Sequence, residues 1–207
     1  MDTDGSPAAI PPRPDPTTGI PTPPAAPTQF PEGYNETKRP RIPTPPPGKG
    51  PTLAVYRQKL FLSWASGLIP VAFLVIAAVL YGGFKPLSLW PVWIILAVVY
   101  IWTVFIMRIN TVSAGADWVR GGRKHWVNTY ELTRINLRSY GSNQPALVLA
   151  DQEHAVEIPL GVLQYERKVW DYVYLGMLHS AASGAELDRS TRATFPEVAE
   201  AAGNANS

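Results

Sequence analysis

Two uncharged apolar runs constrain this chain more than any other feature. Leu60 to Tyr81 is 22 residues without a charged side chain, and Leu87 to Met107 is 21 more. A helix crossing a hydrocarbon layer of ~30 Å needs about 20 apolar residues at ~1.5 Å each. Both runs are apolar on every face, unlike a half-exposed helix of a globular body. The sequence therefore predicts two membrane spans, about 60–81 and 87–107. Only Gly82-Gly83-Phe84-Lys85-Pro86 lies between them, so the pair forms a tight helical hairpin. Trp64, Tyr81, Phe84, Trp90, Trp93 and Trp102 sit near the run ends, where amphipathic rings favour the headgroup level. Ser63 and Gly67 are four apart, as are Ser66 and Pro70, a spacing of small residues that lets helices approach closely. No ionisable residue lies inside either run, which argues against a pump, a proton relay or a coupled transporter.

The flanking charges set an orientation. Lys38, Arg39, Arg41, Lys49, Arg57 and Lys59 precede the first run, and Arg108, Arg120, Arg123 and Lys124 follow the second. The short loop holds only Lys85. The positive-inside bias then places both termini in the cytoplasm of a multi-pass protein of the plasma (inner) membrane. Lys38, Arg39, Arg41, Lys49, Arg57, Lys59 and Arg108 become membrane-surface bases facing anionic lipid. The opening residues, with Asp2, Asp4 and several prolines, lack the apolar core of a secretory signal.

Of the 22 prolines, 16 fall within the first 52 positions. Proline fixes φ and removes a backbone donor, so residues 1–52 are expected to be a disordered, extended tail. Ile20-Pro21-Thr22-Pro23-Pro24 recurs as Ile42-Pro43-Thr44-Pro45-Pro46. Such a tail serves as a spacer or as a ligand for an aromatic-lined groove on a partner.

After the hairpin region, 53–108, the chain changes character. Strands are expected at Asn110 to Ser113, Asp117 to Arg120, Arg123 to Val127, Thr133 to Tyr140, Ala146 to Ala150 and Ala155 to Ile158. Gly121-Gly122 is a two-residue hairpin signal. A helix from about Glu166 to Ala182 follows, with Trp170, Val173, Tyr174, Met177 and Ala181 forming one apolar stripe and Glu166, Arg167, Lys168 and Asp171 a polar face. Residues 185–207 are small and polar and are expected to be a flexible tail.

A strand-rich unit and one amphipathic helix, directly after a two-span hairpin, resemble bacterial small two-span membrane proteins with a C-terminal pleckstrin-homology-like domain. The resemblance rests on Ala116-Asp117-Trp118-Val119-Arg120-Gly121-Gly122-Arg123, on Tyr130-Glu131-Leu132-Thr133-Arg134-Ile135, and on Val156-Glu157-Ile158-Pro159-Leu160-Gly161. The alanine- and proline-rich, cysteine-free style is similar to actinobacterial membrane proteins. The six expected strands are one fewer than the family's barrel. The resemblance implies a fold of a transmembrane hairpin followed by a small α+β PH-like domain at 109–184, antiparallel strands plus one C-terminal helix, behind a disordered proline-rich N-terminus. It also implies a non-enzymatic role in scaffolding, partner binding or lipid contact. The family's headgroup-binding loop corresponds here to Arg120, Arg123 and Lys124.

The remaining residues offer little chemistry. Without cysteine there is no disulfide, thiolate metal site or thiol nucleophile. His125, His154 and His179 have no helical ligand partner at i+3 or i+4. Asp151, Glu153 and His154 share one turn, which reads as a polar turn rather than a metal site. Asp171 and His179 are eight apart, which does not make a dyad. No nucleotide-binding or hydrolase fingerprint is present. From Arg108 onward 10 bases face 11 acids, so nucleic acid is not an expected partner. Catalytic residues, metal and cofactor are all expected to be none. The expected function is a non-enzymatic membrane-anchored adaptor or scaffold. Its partners are the lipid bilayer and another membrane or cytoplasmic protein, or a second copy of itself. The alternatives are an anionic-lipid or envelope-stress sensor, and a two-span pore former of holin type.

Overall fold

The computed structural model describes residues 10–28, 42–57, 60–109, 111–122, 125–140 and 144–204, with the side chains of 57, 60–63, 66, 106–109, 140 and 144 not among them. The chain divides into two compact units, one formed by Met1–Tyr56 with Val112–Ser207 and the other by Arg57–Thr111.

The first unit holds two four-stranded sheets. Strand β1 (Ala54–Arg57) opens a sheet of order β1-β2-β3-β4, with β2 Thr111–Ala114, β3 Trp118–Gly121 and β4 His125–Asn128. The second sheet has the order β7-β6-β5-β8, with β5 Arg134–Tyr140, β6 Gln144–Ala150, β7 Ala155–Pro159 and β8 Glu186–Leu187. The β2–β3, β3–β4, β5–β6 and β6–β7 pairs are antiparallel, while β8 runs parallel to β5. In β7, Val156 and Ile158 are buried and their neighbours exposed, the period-2 pattern of a strand with one face on a core.

The six expected strands are all present, with ends shifted by a residue or two. Sequence reading missed β1, which precedes the apolar runs and joins the sheet from the far side of them. It also missed β8 and three short helices. The main helix, Arg167–Ala182, has its whole stripe buried: Trp170, Val173, Tyr174, Met177 and Ala181 are each 4% exposed or less. A six-residue helix, Leu160–Tyr165, precedes it, and Arg189–Thr194 and Pro196–Asn204 follow it.

These last helices correct the flexible tail expected from 185. The Asp188 side chain accepts a hydrogen bond from Thr191 N at 2.8 Å and so caps Arg189–Thr194. Phe195, Val198, Ala201 and Ala202 then bury themselves in the core. The disordered N-terminus is corrected as well, over its described residues. Residues 10–28 and 42–53 lie against the sheets and the main helix as a strap, with Ala26 buried in the core and Ile10 packed against it.

The second unit is a helical pair. The first helix is Leu60–Gly82, with Pro70 inside it; a 3₁₀ turn, Pro86–Ser88, leads to the second, Trp90–Ile109. Gly67 sits where the two meet. A Cβ there would lie 2.8 Å from Val104 Cγ2 and 2.9 Å from Tyr100 Cε2, so only glycine allows this approach. Trp64 packs edge-on against Tyr100, with ring centroids 6.4 Å apart. In chain order the helices are α1 (Leu60–Gly82), α2 (Trp90–Ile109), α3 (Leu160–Tyr165), α4 (Arg167–Ala182), α5 (Arg189–Thr194) and α6 (Pro196–Asn204).

Among the described residues, no helix is long and apolar enough to cross a membrane. Helix α1 has 23 residues and α2 has 20. This finding overturns the predicted spans at about 60–81 and 87–107. It also overturns the transmembrane hairpin as a fold class and the multi-pass placement in a plasma membrane with both termini cytoplasmic. The apolar runs do form the expected pair of helices. Much of their surface is open, with Ile69, Phe73, Leu80 and Tyr81 between 71% and 95% exposed.

Candidate functional site: the strap and the groove beside helix α4

Helix α4 is buried on more than the expected stripe, because Tyr172 and Leu175 point elsewhere and are covered too. The cover is the strap. Proline-rich backbone cannot donate at its prolines but keeps every carbonyl, so donors must come from the surface it lies on. Helix α4 supplies three. Trp170 Nε1 donates to Pro27 O at 2.8 Å, and Tyr172 OH donates to Gly19 O at 3.2 Å. His179 Nε2 lies 2.8 Å from Pro11 O, while its Nδ1 accepts from Arg13 Nε at 3.5 Å. That pair fixes the neutral tautomer with the proton on Nε2, because Pro11 O can only accept. Burial and the Arg13 charge lower the His179 pKa, against the raising effect of its bond to Pro11. Arg13 also lies over the Tyr130 ring at 5.0 Å. Burial pushes the Tyr130 hydroxyl up to about 12.

The strap keeps its shape through a turn at Asp15. The Thr17 hydroxyl above all, with Thr18 N at 2.9 Å and Thr17 N at 2.8 Å, donates to the Asp15 Oδ1 and holds that carboxyl down at about 2. Gly19 follows with φ +71°, a left-handed backbone that side chains disfavour. A Cβ at Gly19 would also meet Leu53 Cδ1 at 2.5 Å and Tyr172 OH at 2.8 Å.

The second half of the strap is held the same way by the first sheet. Trp118 Nε1 donates to Gly50 O at 3.2 Å, Arg120 donates to Thr44 O at 3.0 Å, and Leu53 N donates to Ala114 O at 2.9 Å. Lys49 pairs with Asp117 at 3.0 Å. Both copies of the Ile-Pro-Thr-Pro-Pro echo thus lie in docked stretches, with Ile20 and Ile42 68% and 69% exposed.

Between the strap, α4 and α6 lies a cavity of about 740 Å³. Ile10 and Pro24 to Thr28 form its strap wall, Leu175, Leu178 and Ala182 its floor on α4, and Glu197, Glu200 and Ala201 its far side on α6. Asp171, on the expected polar face, lines it with a side chain only 14% exposed. Asp171 Oδ1 accepts from Ala26 N at 2.8 Å and lies 3.7 Å from Arg167 Nε; burial raises its pKa, against both of these partners. Tyr174 OH donates to Glu197 Oε2 at 2.8 Å, and burial, with that glutamate, raises the Tyr174 pKa.

The residues singled out from the sequence fall elsewhere. Arg120 is engaged with the strap and lies over the Trp118 ring at 5.6 Å. Arg123 and Lys124 lie outside the described residues, as do Lys38, Arg39, Arg41 and Lys59. Arg57 and Arg108 are described by backbone alone, and Lys49 is the strap's ion-pair partner. The Asp151 turn caps backbone: its oxygens accept from Asn128 N, Glu153 N and His154 N at 2.6 to 2.9 Å. Among the described residues no group of His, Asp and Glu could hold a metal ion.

Sequence reading missed Tyr172 and Leu175, which together with the stripe leave α4 only a narrow polar side. That breadth is the signal that something besides a sheet covers the helix. No protein-family model, no curated protein and no solved structure matches this chain.

Proposed function

We propose that the chain is a non-enzymatic adaptor whose sheet-and-helix body recognises extended proline-rich segments. The observation that carries this reading is the row of donors on α4, Trp170, Tyr172 and His179, aimed at carbonyls of the strap. Aromatic donors over a proline-rich backbone are the physical basis of polyproline II recognition, since a pre-extended segment loses little entropy on docking. The strap is then the body's own ligand, and a partner's segment competes with it. The open apolar surface of α1 and α2 supplies attachment to an apolar partner, lipid or protein.

The test is a synthetic peptide of residues 10–28 added to the chain with those residues deleted. Binding with micromolar affinity is expected, weakened by Trp170→Phe, which keeps an aromatic ring but removes the indole donor. A deleted chain that still unfolds cooperatively, yet does not bind the peptide, ends this reading.

A further inference from the structure

We infer that the cavity between the strap, α4 and α6 is a binding site for an organic ammonium carried on an apolar body. Its volume, about 740 Å³, lies within the ~300–1,000 Å³ typical of small-molecule sites. Its floor is apolar, with Leu175 only 2% exposed. Its charge is one-sided. Asp171, Glu197 and Glu200 line it, and the single cation among its lining residues, Arg167, is paired with Asp171. Glu197 and Glu200, three apart on α6, share one helix face, so two carboxylates meet whatever enters. An anionic ligand would face like charge without compensation, and a neutral one would leave the acidic wall unused. A small inorganic cation would leave the apolar floor empty. An ammonium with an aromatic or branched aliphatic body satisfies both walls. Pro11 and Pro27, whose carbonyls His179 and Trp170 hold, also line this cavity, but the inference rests on its acidic and apolar walls and not on those carbonyls.

The experiment is calorimetric titration of the full chain with three probes sharing one body: 4-phenylbutylammonium, 4-phenylbutanol and 4-phenylbutyrate. The ammonium is expected to bind about tenfold or more tighter than the alcohol, and the carboxylate weakest. Glu197→Gln with Glu200→Gln should reduce the preference to about twofold or less, while Ala182→Phe, which fills the floor, should weaken all three. Probes that simply coat the open faces of α1 and α2 would bind alike in every variant. The inference is overturned by such uniform binding, by a carboxylate that binds as well as the ammonium, or by no heat from the ammonium at millimolar concentration. Glu200→Gln alone, at an exposed position, keeps the charge test available if the double variant does not fold; an unchanged ammonium preference in it counts against the site.

Discussion

The strap and the helical pair invert what their compositions suggest. The strap is almost devoid of large apolar residues, yet it is fixed by three donors of α4, a tryptophan and an arginine of the first sheet, and an ion pair. Helices α1 and α2 are nearly all apolar, yet their packing buries Gly67 and Leu96 while leaving Leu80 78% and Phe73 71% exposed. Composition reports how much a segment could bury; order comes from whether a complementary surface exists for it. The strap meets a helix with donors on the correct side, whereas two apolar helices can cover only one seam of each other.

The sharpest way to break the comparison is to make the helical pair polar. Each large apolar side chain taken from water is worth ~1.5–3 kcal/mol, so the open faces of α1 and α2 form a strong associating surface. The full chain in water without detergent is expected to self-associate, and Ile69→Gln with Phe73→Gln and Leu80→Gln to reduce this by light scattering without moving the unfolding midpoint of the first unit. A parent chain that stays monodisperse in plain buffer would show that these faces are not open.

The next largest effect concerns the strap's main anchor. Trp170 is fully buried and packs on Tyr174 and Phe195, with ring centroids 5.4 and 5.7 Å away. Trp170→Ala should cost ~3–5 kcal/mol in denaturant unfolding, as expected for deleting a buried tryptophan. Trp170→Phe retains most of the packing and loses the bond to Pro27, so it should cost ~1 kcal/mol. Equal losses for the two would mean that the hydrogen bond, not the ring, carries the site.

How much of this was legible follows the same division. The strands and α4 announce themselves through period and turn chemistry: Gly121-Gly122 marks a hairpin, and Trp170 to Ala181 mark a face. Helices α5 and α6 were legible in principle, since Asp188 with Thr191 is a cap and Val198, Ala201 and Ala202 are spaced i, i+3, i+4. The small residues between them hid that pattern. Strand β1 and the strap were not legible, because Ala54 to Arg57 and Pro11 to Pro27 carry no local signal of their partners. Their order depends on contacts far away in sequence, as between Pro11 and His179. The cavity was hidden for the same reason: Asp171 looks like an ordinary surface acid until Ala26 is placed against it. The close approach at Gly67 is the counterexample, a tertiary contact read from spacing alone.

A gentler perturbation is pH. His179 has its folded pKa lowered, so the folded state resists its protonation. The groups facing it are Arg13 on the strap and the Tyr130 ring, whose centroid is 5.3 Å away, together with the Pro11 carbonyl. A depressed histidine pKa contributes stability that is fully present above the unfolded value of ~6.5 and is lost as pH falls from there through the folded value. Below that window the ring carries a proton on Nδ1, loses its acceptor for Arg13 and repels it. Protection of the amides of Thr17, Thr18 and Ile20 against hydrogen exchange, taken relative to the intrinsic rate at each pH, should fall over this range, an acceleration over that rate. His179→Gln should remove the acceleration; a variant with the same pH profile as the parent would separate the strap from this histidine.

The smallest expected effect compares the strap's ion pair with one confined to the body. Lys49 and Asp117 are 18% and 20% exposed at their side chains and 3.0 Å apart, while Arg134 and Glu186 are 58% and 76% exposed and 3.5 Å apart. Exposed pairs are worth ~0–1 kcal/mol because water and salt screen them and two long side chains lose freedom. The Lys49 pair is better shielded, and its ammonium also lies 5.7 Å above the Trp126 ring. A double-mutant cycle on Lys49→Met and Asp117→Asn should give a coupling of ~1 kcal/mol, against ~0.3 kcal/mol or less for Arg134→Met and Glu186→Gln. The Lys49 single variant should cost more than the coupling, because Asp117 then stays in its half-buried place without its cation. If the two couplings are equal, the second half of the strap is held by its backbone hydrogen bonds to Trp118, Arg120 and Ala114 and not by the ion pair.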